Sequence, residues 1–394
     1  MRPFWFALKV LPSYVVFAVA NLVPKRRKLW LFGAWMGRKY SDNPKYLLRY
    51  VAVHEPGVQA VWIAKDKALV ACLRTEGIAA EYAYGLRGMW LQLRAELVVF
   101  THSVPDEYLS ALIARRVRRV QTWHGIPIKK IGRDDNTQQY SQTHLLVRAL
   151  LYPCDLDRCD LVIAAGDADA QKYRTAFNVR ASDICITGYP RNDELLRSVK
   201  ALAKQGGPRR TIYMPTFRGS VGSEFTLFRT TGFDFRAADE CLGRIGWRMT
   251  MKLHPMQRLS AADEAAIAGT THIDALPAGM DTYDFLGGYD AVITDFSGIY
   301  FDFMITGKPI IMAPFEIDVY LANDRELYYP YKDLCPDEPC RNWDDVFARL
   351  ASLPPSGTAP TPRYAQLQSR FHAHLDDGAS ARTVAAMRRL VGAG

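Results

Sequence analysis

Ala291 to Pro314 reads AVITDFSGIYFDFMITGKPIIMAP. The apolar run Ala291–Thr294 ends in Asp295-Phe296-Ser297-Gly298, a helix-like segment follows, and a second apolar run, Pro309–Ala313, closes the unit. That order predicts strand, polar turn, helix, strand. In a doubly wound sheet such a turn sits at the carboxyl end of a strand, where ligands bind. Ser297 and Gly298 fall at the first turn of the expected helix. Free backbone N–H groups and the helix dipole favour an anion such as a phosphate there. A serine N-cap and a glycine in a tight turn fit the same residues, so the turn alone does not separate a binding site from a cap.

Working outward, the pattern repeats. Thr211–Met214, Arg248–Leu253 and Thr271–Ala275 precede the quoted stretch as further short apolar runs. Upstream lie Leu29–Gly33, Val58–Ala64, Glu96–Thr101, Arg118–Trp123, Leu161–Ala165 and Ile184–Thr187, with helix-like segments such as Asn43–Val53 and Asp66–Glu76 between them. Strands alternating with helices predict parallel sheets covered by helices. A polar linker, Lys204–Arg210, separates the two series. The expected fold is α/β, two Rossmann-like domains facing a cleft, spanning 29–203 and 204–353. Residues 354–394 follow as a Pro/Ser/Thr/Gly-rich loop and a helix from Tyr364 to Val391. No GxGxxG or GxxxxGK[ST] occurs, so neither a dinucleotide fingerprint nor a P-loop is indicated.

Composition narrows the function. Hydrophobic content of 49% and aromatic content of 12% exclude a disordered chain, and 394 residues suffice for two cores. A formal net charge of +9 favours an anionic partner: a phosphorylated substrate, an acidic membrane surface or a nucleic acid. No nucleic-acid motif appears, so that partner is not expected. Seven cysteines without a CxxC pair point to reduced thiols rather than to a zinc site or a disulfide framework.

The N-terminal segment 1–28 is expected to associate with a membrane. Phe4–Val23 is apolar, broken by Lys9 and Pro12, and Pro24-Lys25-Arg26-Arg27-Lys28 follows at once. Charge after the apolar core argues against a cleaved signal peptide and suits anionic lipid on the cytoplasmic side. An interfacial helix and a single anchor both fit; so does a buried first helix of the globular fold.

Polar groups gather where strands are expected to end. His124 lies in Trp123-His124-Gly125-Ile126-Pro127-Ile128; an imidazole titrating near neutral pH suits a general base, and Gly125 permits close approach of a ligand. His254 lies in Lys252-Leu253-His254-Pro255, where alternation along a strand would point Lys252 and His254 the same way, a pairing suited to a phosphate. Pro215, Thr216 and Arg218 end another strand; Arg191 follows the last strand of the first series. Either arginine fits a phosphate clamp or a solvated surface. Asp302 suits a ligand hydroxyl or local charge balance. No acidic cluster reads clearly as a metal site; Asp134-Asp135 is a candidate that suits a solvated turn better, and Mg²⁺ assistance is left open.

At these residues the chain resembles the CDP-glycerol glycerophosphotransferase family, the teichoic-acid primases and polymerases. The resemblance runs from about Leu29 to Tyr331, strongest in WHGIP, GYPRND, MPTFRG, KLHP and ITDFSGIYFDF. It implies a glycosyltransferase-B-type architecture attached to the cytoplasmic face of the cell membrane, with an acceptor-side first domain and a CDP-donor-binding second domain. It implies His124 as catalytic base, with His254 also catalytic. Gly125, Ile126, Pro127, Ile128, Arg191, Pro215, Thr216, Arg218, Lys252, Leu253, Ser297, Gly298 and Asp302 would bind substrate. The implied partners are CDP-glycerol or CDP-ribitol and a lipid-linked saccharide or polyol-phosphate acceptor. The chain departs from the family at Ile126, where Thr is common, and at Gly298, where Ser is common. A nucleotide-sugar glycosyltransferase of the same architecture is the alternative.

Overall fold

The computed structural model describes residues 2–135, 158–202, 207–220, 222–277, 279–323, 326–355 and 357–392, with side chains from residue 12 onward except 321 and 323. These residues fall into two compact units. The first draws on Met1–His124, Ile131–Asp193 and Gly378–Gly394, the second on Gly125–Lys130 and Glu194–Asp377.

In the first unit the strands are β1 (Leu29–Phe32), β2 (Gln59–Ala64), β3 (Ala80–Tyr82), β4 (Leu97–Phe100), β5 (Arg118–Gln121), β6 (Leu161–Ala164) and β7 (Ile184–Ile186). They form one parallel sheet in the order β3-β2-β1-β4-β5-β6-β7. Helices cover both faces, so the strands are apolar throughout rather than alternating. Trp30, Phe32, Trp62 and Val99 pack with Leu47 and Val51 of the helix Asp42–His54 on one face. Leu29, Leu31, Val61 and Phe100 pack with Ala20 of the helix Arg2–Leu22 and Leu91 of the helix Leu86–Arg94 on the other.

The second unit holds β8 (Arg209–Met214), β9 (Trp247–Met251), β10 (Ile273–Ala275), β11 (Ala291–Thr294) and β12 (Ile310–Met312). They too form one parallel sheet, in the order β10-β9-β8-β11-β12. The quoted stretch is β11, a polar turn, the helix Ile299–Met304 and β12, as expected.

The boundaries differ from the sequence reading. The division falls at Asp193, ahead of Lys204–Arg210, of which residues 204–206 lie outside the described residues. The helix Ala379–Gly392 is no appendage. Val384, Ala386 and Met387 sink into the core of the first sheet, and the buried Asp193 carboxylate accepts the N–H groups of Ala379 at 2.9 Å and Ser380 at 2.7 Å. Residues 1–28 are not a separate segment either, because Phe17 and Ala20 are buried against the first unit. Among the described residues no helix is long and apolar enough to cross a membrane.

His372, after the helix Pro362–Phe371, donates Nε2–H to the Phe301 carbonyl at 2.8 Å in a buried site of the second unit. Burial pushes its pKa down from 6.5 to about 4, against the opposing effect of that hydrogen bond. The unfolded chain therefore gains a proton near pH 6.5 that the folded unit takes only near pH 4. The stability is present above pH 6.5 and is lost as pH falls, roughly 3 kcal/mol in all. Asp169 in the first unit runs the other way: burial raises it to about 6 despite donors from Tyr189, Ala165 and Gly166. Acidifying from pH 7 to 4.5 is thus expected to weaken the second unit relative to the first. Hydrogen exchange read separately on the two sheets checks this, and equal loss of protection in both would refute it.

Candidate active site

Strand order reverses between β1 and β4 in the first sheet and between β8 and β11 in the second. Such switch points leave a crevice at the carboxyl ends of the strands. The expected site residues follow β5, β7, β8, β9 and β11, so they fall at carboxyl ends of strands.

In the first unit His124 stands beyond β5, within a group of rings. The His102 ring stacks on it with centroids 4.8 Å apart at 23°, Trp123 lies at 4.1 Å and Trp35 at 6.1 Å. The backbone around it is unusual. Trp35, Asp42 and Trp123 have φ of 49°, 65° and 49°, left-handed values that non-glycine residues adopt at a cost of about 1–3 kcal/mol each. Specific ties hold them there. Asn43 donates to the Thr122 and Trp123 carbonyls, each at 3.2 Å, and Trp123 N–H reaches Gln121 Oε1 at 3.0 Å. Trp35 donates Nε1–H to Asp42 at 3.2 Å. Arg191 is neither solvated nor at the surface: its guanidinium pairs with Asp42 at 2.8 Å, both side chains are buried, and its N–H meets Asn43 Oδ1 at 3.3 Å. Strain concentrated in this way marks functional sites.

The remaining expected residues belong to the second unit. Ile126, Pro127 and Ile128 are buried, and Ile128 C=O accepts from Tyr328 N–H at 2.8 Å, while Lys129 bridges antiparallel to Leu327. Register sets Thr294 of β11 beside Met214 of β8. Asp295, fully buried, thereby reaches Thr216, accepting its N–H at 2.8 Å and its hydroxyl at 2.6 Å. Arg218 pairs with Asp295 at 2.7 Å and Glu316 at 3.2 Å and donates to Thr216 C=O at 2.9 Å. Burial opposes its charge, but these carboxylates, Asp295 foremost, outweigh burial and raise its pKa.

Strand β9 ends at Met251, so the alternation expected for Lys252 and His254 does not apply; both lie in the loop beyond. Lys252 is buried. His254 Nδ1 accepts Met256 N–H at 3.2 Å, which leaves the neutral ring's proton on Nε2. That ring offers a donor, the property an anion requires. Asp302, buried in the helix Ile299–Met304, accepts the Tyr283 hydroxyl at 2.8 Å. Ser297 and Gly298 precede that helix, with Ser297 Oγ 3.5 Å from Ile299 N–H. Gly298 has φ −61° and ψ −15°, open to any residue, and a Cβ there would meet only Ile126 C=O, at 3.8 Å. Gly298→Ser is expected to stabilise the protein by about 0.4–1 kcal/mol through the unfolded chain; a lower urea midpoint would contradict it.

His102, Glu107, Trp35, Asp42 and Asn43 were not expected, nor was Asp295 as the tie between β8 and β11. The sequence signals were slight: a histidine directly after an expected strand, and an aspartate inside the quoted turn. Asp134, the metal candidate, accepts the Thr175 hydroxyl at 2.7 Å, and among the described residues no group of three or more His, Cys, Asp or Glu stands together for a metal.

Two parallel sheets with polar groups at the carboxyl ends of their strands make a two-unit α/β protein of the kind that binds ligands at those ends. The chain belongs to the CDP-glycerol:poly(glycerophosphate) glycerophosphotransferase family, whose model matches residues 15–388. It is thus a transferase of phosphorus-containing groups. It is 25% identical to a teichoic acid glycerol-phosphate transferase of Staphylococcus aureus, over 82% of this chain and 83% of that one. It is 23% identical to a teichoic acid poly(glycerol phosphate) polymerase of Bacillus spizizenii, over 82% of each. The structure of the wall teichoic acid polymerase TagF superposes with a TM-score of 0.75 at 19% identity, over 99% of this chain and 98% of that one, and so shares the fold.

Proposed function

We propose that the chain transfers glycerol phosphate from CDP-glycerol to a hydroxyl of a membrane-linked acceptor in teichoic-acid or related surface-polymer synthesis. The observation that carries this reading is the His124 site, an imidazole fixed at a strand end by a strained and heavily tied backbone, in a chain of this family. His124 takes the proton of the acceptor hydroxyl. The hydroxyl oxygen attacks the β-phosphorus, the bond from that phosphorus to the bridging oxygen breaks, and CMP leaves. Lys252, the Nε2–H of His254 and the turn at Ser297–Gly298 in the second unit hold the donor phosphates. Positioning and electrostatics of this kind dominate phosphoryl transfer. Arg191 and Arg218 act as ties for these loops through Asp42 and Asp295. Were Mg²⁺ to assist, the donor's own phosphates would supply oxygen ligands for it, which EDTA in the assay tests.

The first unit also carries a surface suited to a bilayer. The helices Arg2–Leu22 and Leu86–Arg94 cover the same face of the first sheet, through Ala20 and Leu91. Val15, Val19 and Leu22 on one and Leu86 and Trp90 on the other are exposed, and so are Arg26, Arg27 and Lys28 just after the first helix and Arg87 within the second. Exposed apolar residues with cations in the same segments suit the interface of an anionic membrane and support peripheral attachment at its cytoplasmic face.

The test is CMP release from CDP-glycerol, with CDP-ribitol and a nucleotide sugar alongside, each with and without membrane extract as acceptor. Acceptor-dependent CMP release from CDP-glycerol is the expected result. Turnover of the sugar donor alone would replace this reading with a glycosyltransferase.

A further inference from the structure

Beside His124 stands an ion pair that no part of the reaction yet uses. Strand β4 ends at Phe100, and Thr101-His102-Ser103 leads into the short helix Val104–Glu107. Glu107 is completely buried. Its carboxylate accepts the Thr101 hydroxyl at 2.9 Å, the N–H groups of His102 and Ser103 at 3.2 Å each, and lies 3.3 Å from His102 Nδ1. Gly33 lets its stem pass close to the β1 backbone, since a Cβ there would lie only 3.1 Å from Glu107 Cβ. The His102 carbonyl is held in turn by Gln121 Nε2–H at 2.8 Å, and Gln121 also holds Trp123 N–H. The His102 ring is held at Nδ1, which the Thr101 hydroxyl meets at 2.9 Å and Glu107 at 3.3 Å, and its backbone is held at the carbonyl; one face lies against His124 and an edge meets Trp35 at 5.3 Å.

We propose that His102, locked by Glu107, is a positioning residue for His124: it fixes the plane of the His124 ring and, when protonated, disfavours a second proton on that ring, leaving it ready to accept one. The proposal rests on His124 as the base. Burial alone would discharge His102, but the Glu107 hydrogen bond and the charges of Glu107, Asp42 and Asp106 outweigh burial and raise its pKa. The other charged groups around this cluster are already engaged. Asp42 is paired with Arg191, Lys65 donates to the Pro105 and Asp106 carbonyls at 2.8 Å, and Lys39 lies over the Trp35 ring at 5.4 Å. A base has to be unprotonated at the working pH. Two imidazoles stacked face to face do not both take up protons easily, since like charges so close repel even at a high effective dielectric.

The test uses the full chain with His102→Phe, which keeps a ring against His124 without its charge, and Glu107→Gln, which keeps the shape but removes the carboxylate. Two readouts are followed. One is the NMR titration of His124 in histidine-labelled protein, its signal identified by its loss in His124→Ala. The other is the acid limb of kcat/KM for CMP release. In both variants the His124 titration and the acid limb are expected to move to higher pH by about one unit. An unmoved titration, or a rate lowered by one factor at every pH, overturns the proposal and leaves His102 a packing residue. Should Glu107→Gln fail to fold, His102→Phe carries the test. A shifted titration with no matching change in the rate profile would uphold the coupling between the rings and instead remove His124 as the base.

Discussion

His124→Ala is expected to cut turnover about 10²–10⁴-fold, the usual cost of deleting a general base, while the protein still folds and binds CDP-glycerol. The side chain is only partly buried and sits in a loop rather than in either sheet core. Its ring contacts, to His102, Trp123 and Trp35, lie among residues whose backbones are held by ties that do not include it: Asn43 on the Thr122 and Trp123 carbonyls, Gln121 on Trp123, and Asp42 on Trp35 and Arg191. Removing the ring therefore leaves the strained turn in place. The donor is assigned to groups of the second unit, so its affinity should change little. Thermal unfolding, calorimetric titration with CDP-glycerol and CMP release together check the prediction. Near-normal turnover removes His124 from the chemistry. A collapse of thermal stability would show instead that the ring cluster is part of the scaffold.

Much of this could be read before the structure. Every expected strand is present within a residue or two, because strands buried on both faces are short apolar runs with clear ends. The strand β3 was missed because Ala80-Glu81-Tyr82 is three residues long and carries no apolar run. The docking of the helix Ala379–Gly392 was missed because its periodicity shows an apolar face but not the partner that covers it. The site was legible as a set of strand ends and not as a set of contacts. Which loops meet depends on the order β3-β2-β1-β4 and β9-β8-β11, and alternation alone does not fix order. His102 and Glu107 drew no reading in sequence, because only the loop between β4 and the helix Val104–Glu107 brings the Glu107 carboxylate back to His102. Arg191 and Arg218 looked like phosphate clamps because their carboxylate partners, Asp42 and Asp295, lie far away in the chain.

That reassignment makes a second large effect predictable. Arg218→Ala is expected to destabilise the second unit by roughly 3–5 kcal/mol, the scale of breaking a buried ion pair and leaving one charge uncompensated. Asp295 is completely buried, and Arg218 is its charge partner; the carboxylate's other contacts are neutral donors, from Thr216 and from Phe296 N–H at 2.6 Å. Asp295→Ala should cost a similar amount, since it also frees those donors, although Glu316 still compensates Arg218 in part. The two losses should not add. Once either partner is gone the pair is broken, so the double variant should be markedly less damaged than the sum of the singles, with the difference reporting the coupling. Urea unfolding of the single and double variants measures this directly. A surface phosphate clamp predicts a different pattern: Arg218→Ala would unfold at the wild-type urea midpoint and lose affinity for CDP-glycerol, and the two substitutions would be additive. A stability loss with strong coupling instead fixes Arg218 as the tie that holds the β8 and β11 loops together, and leaves contact with the donor phosphates to Lys252, His254 and the turn at Ser297.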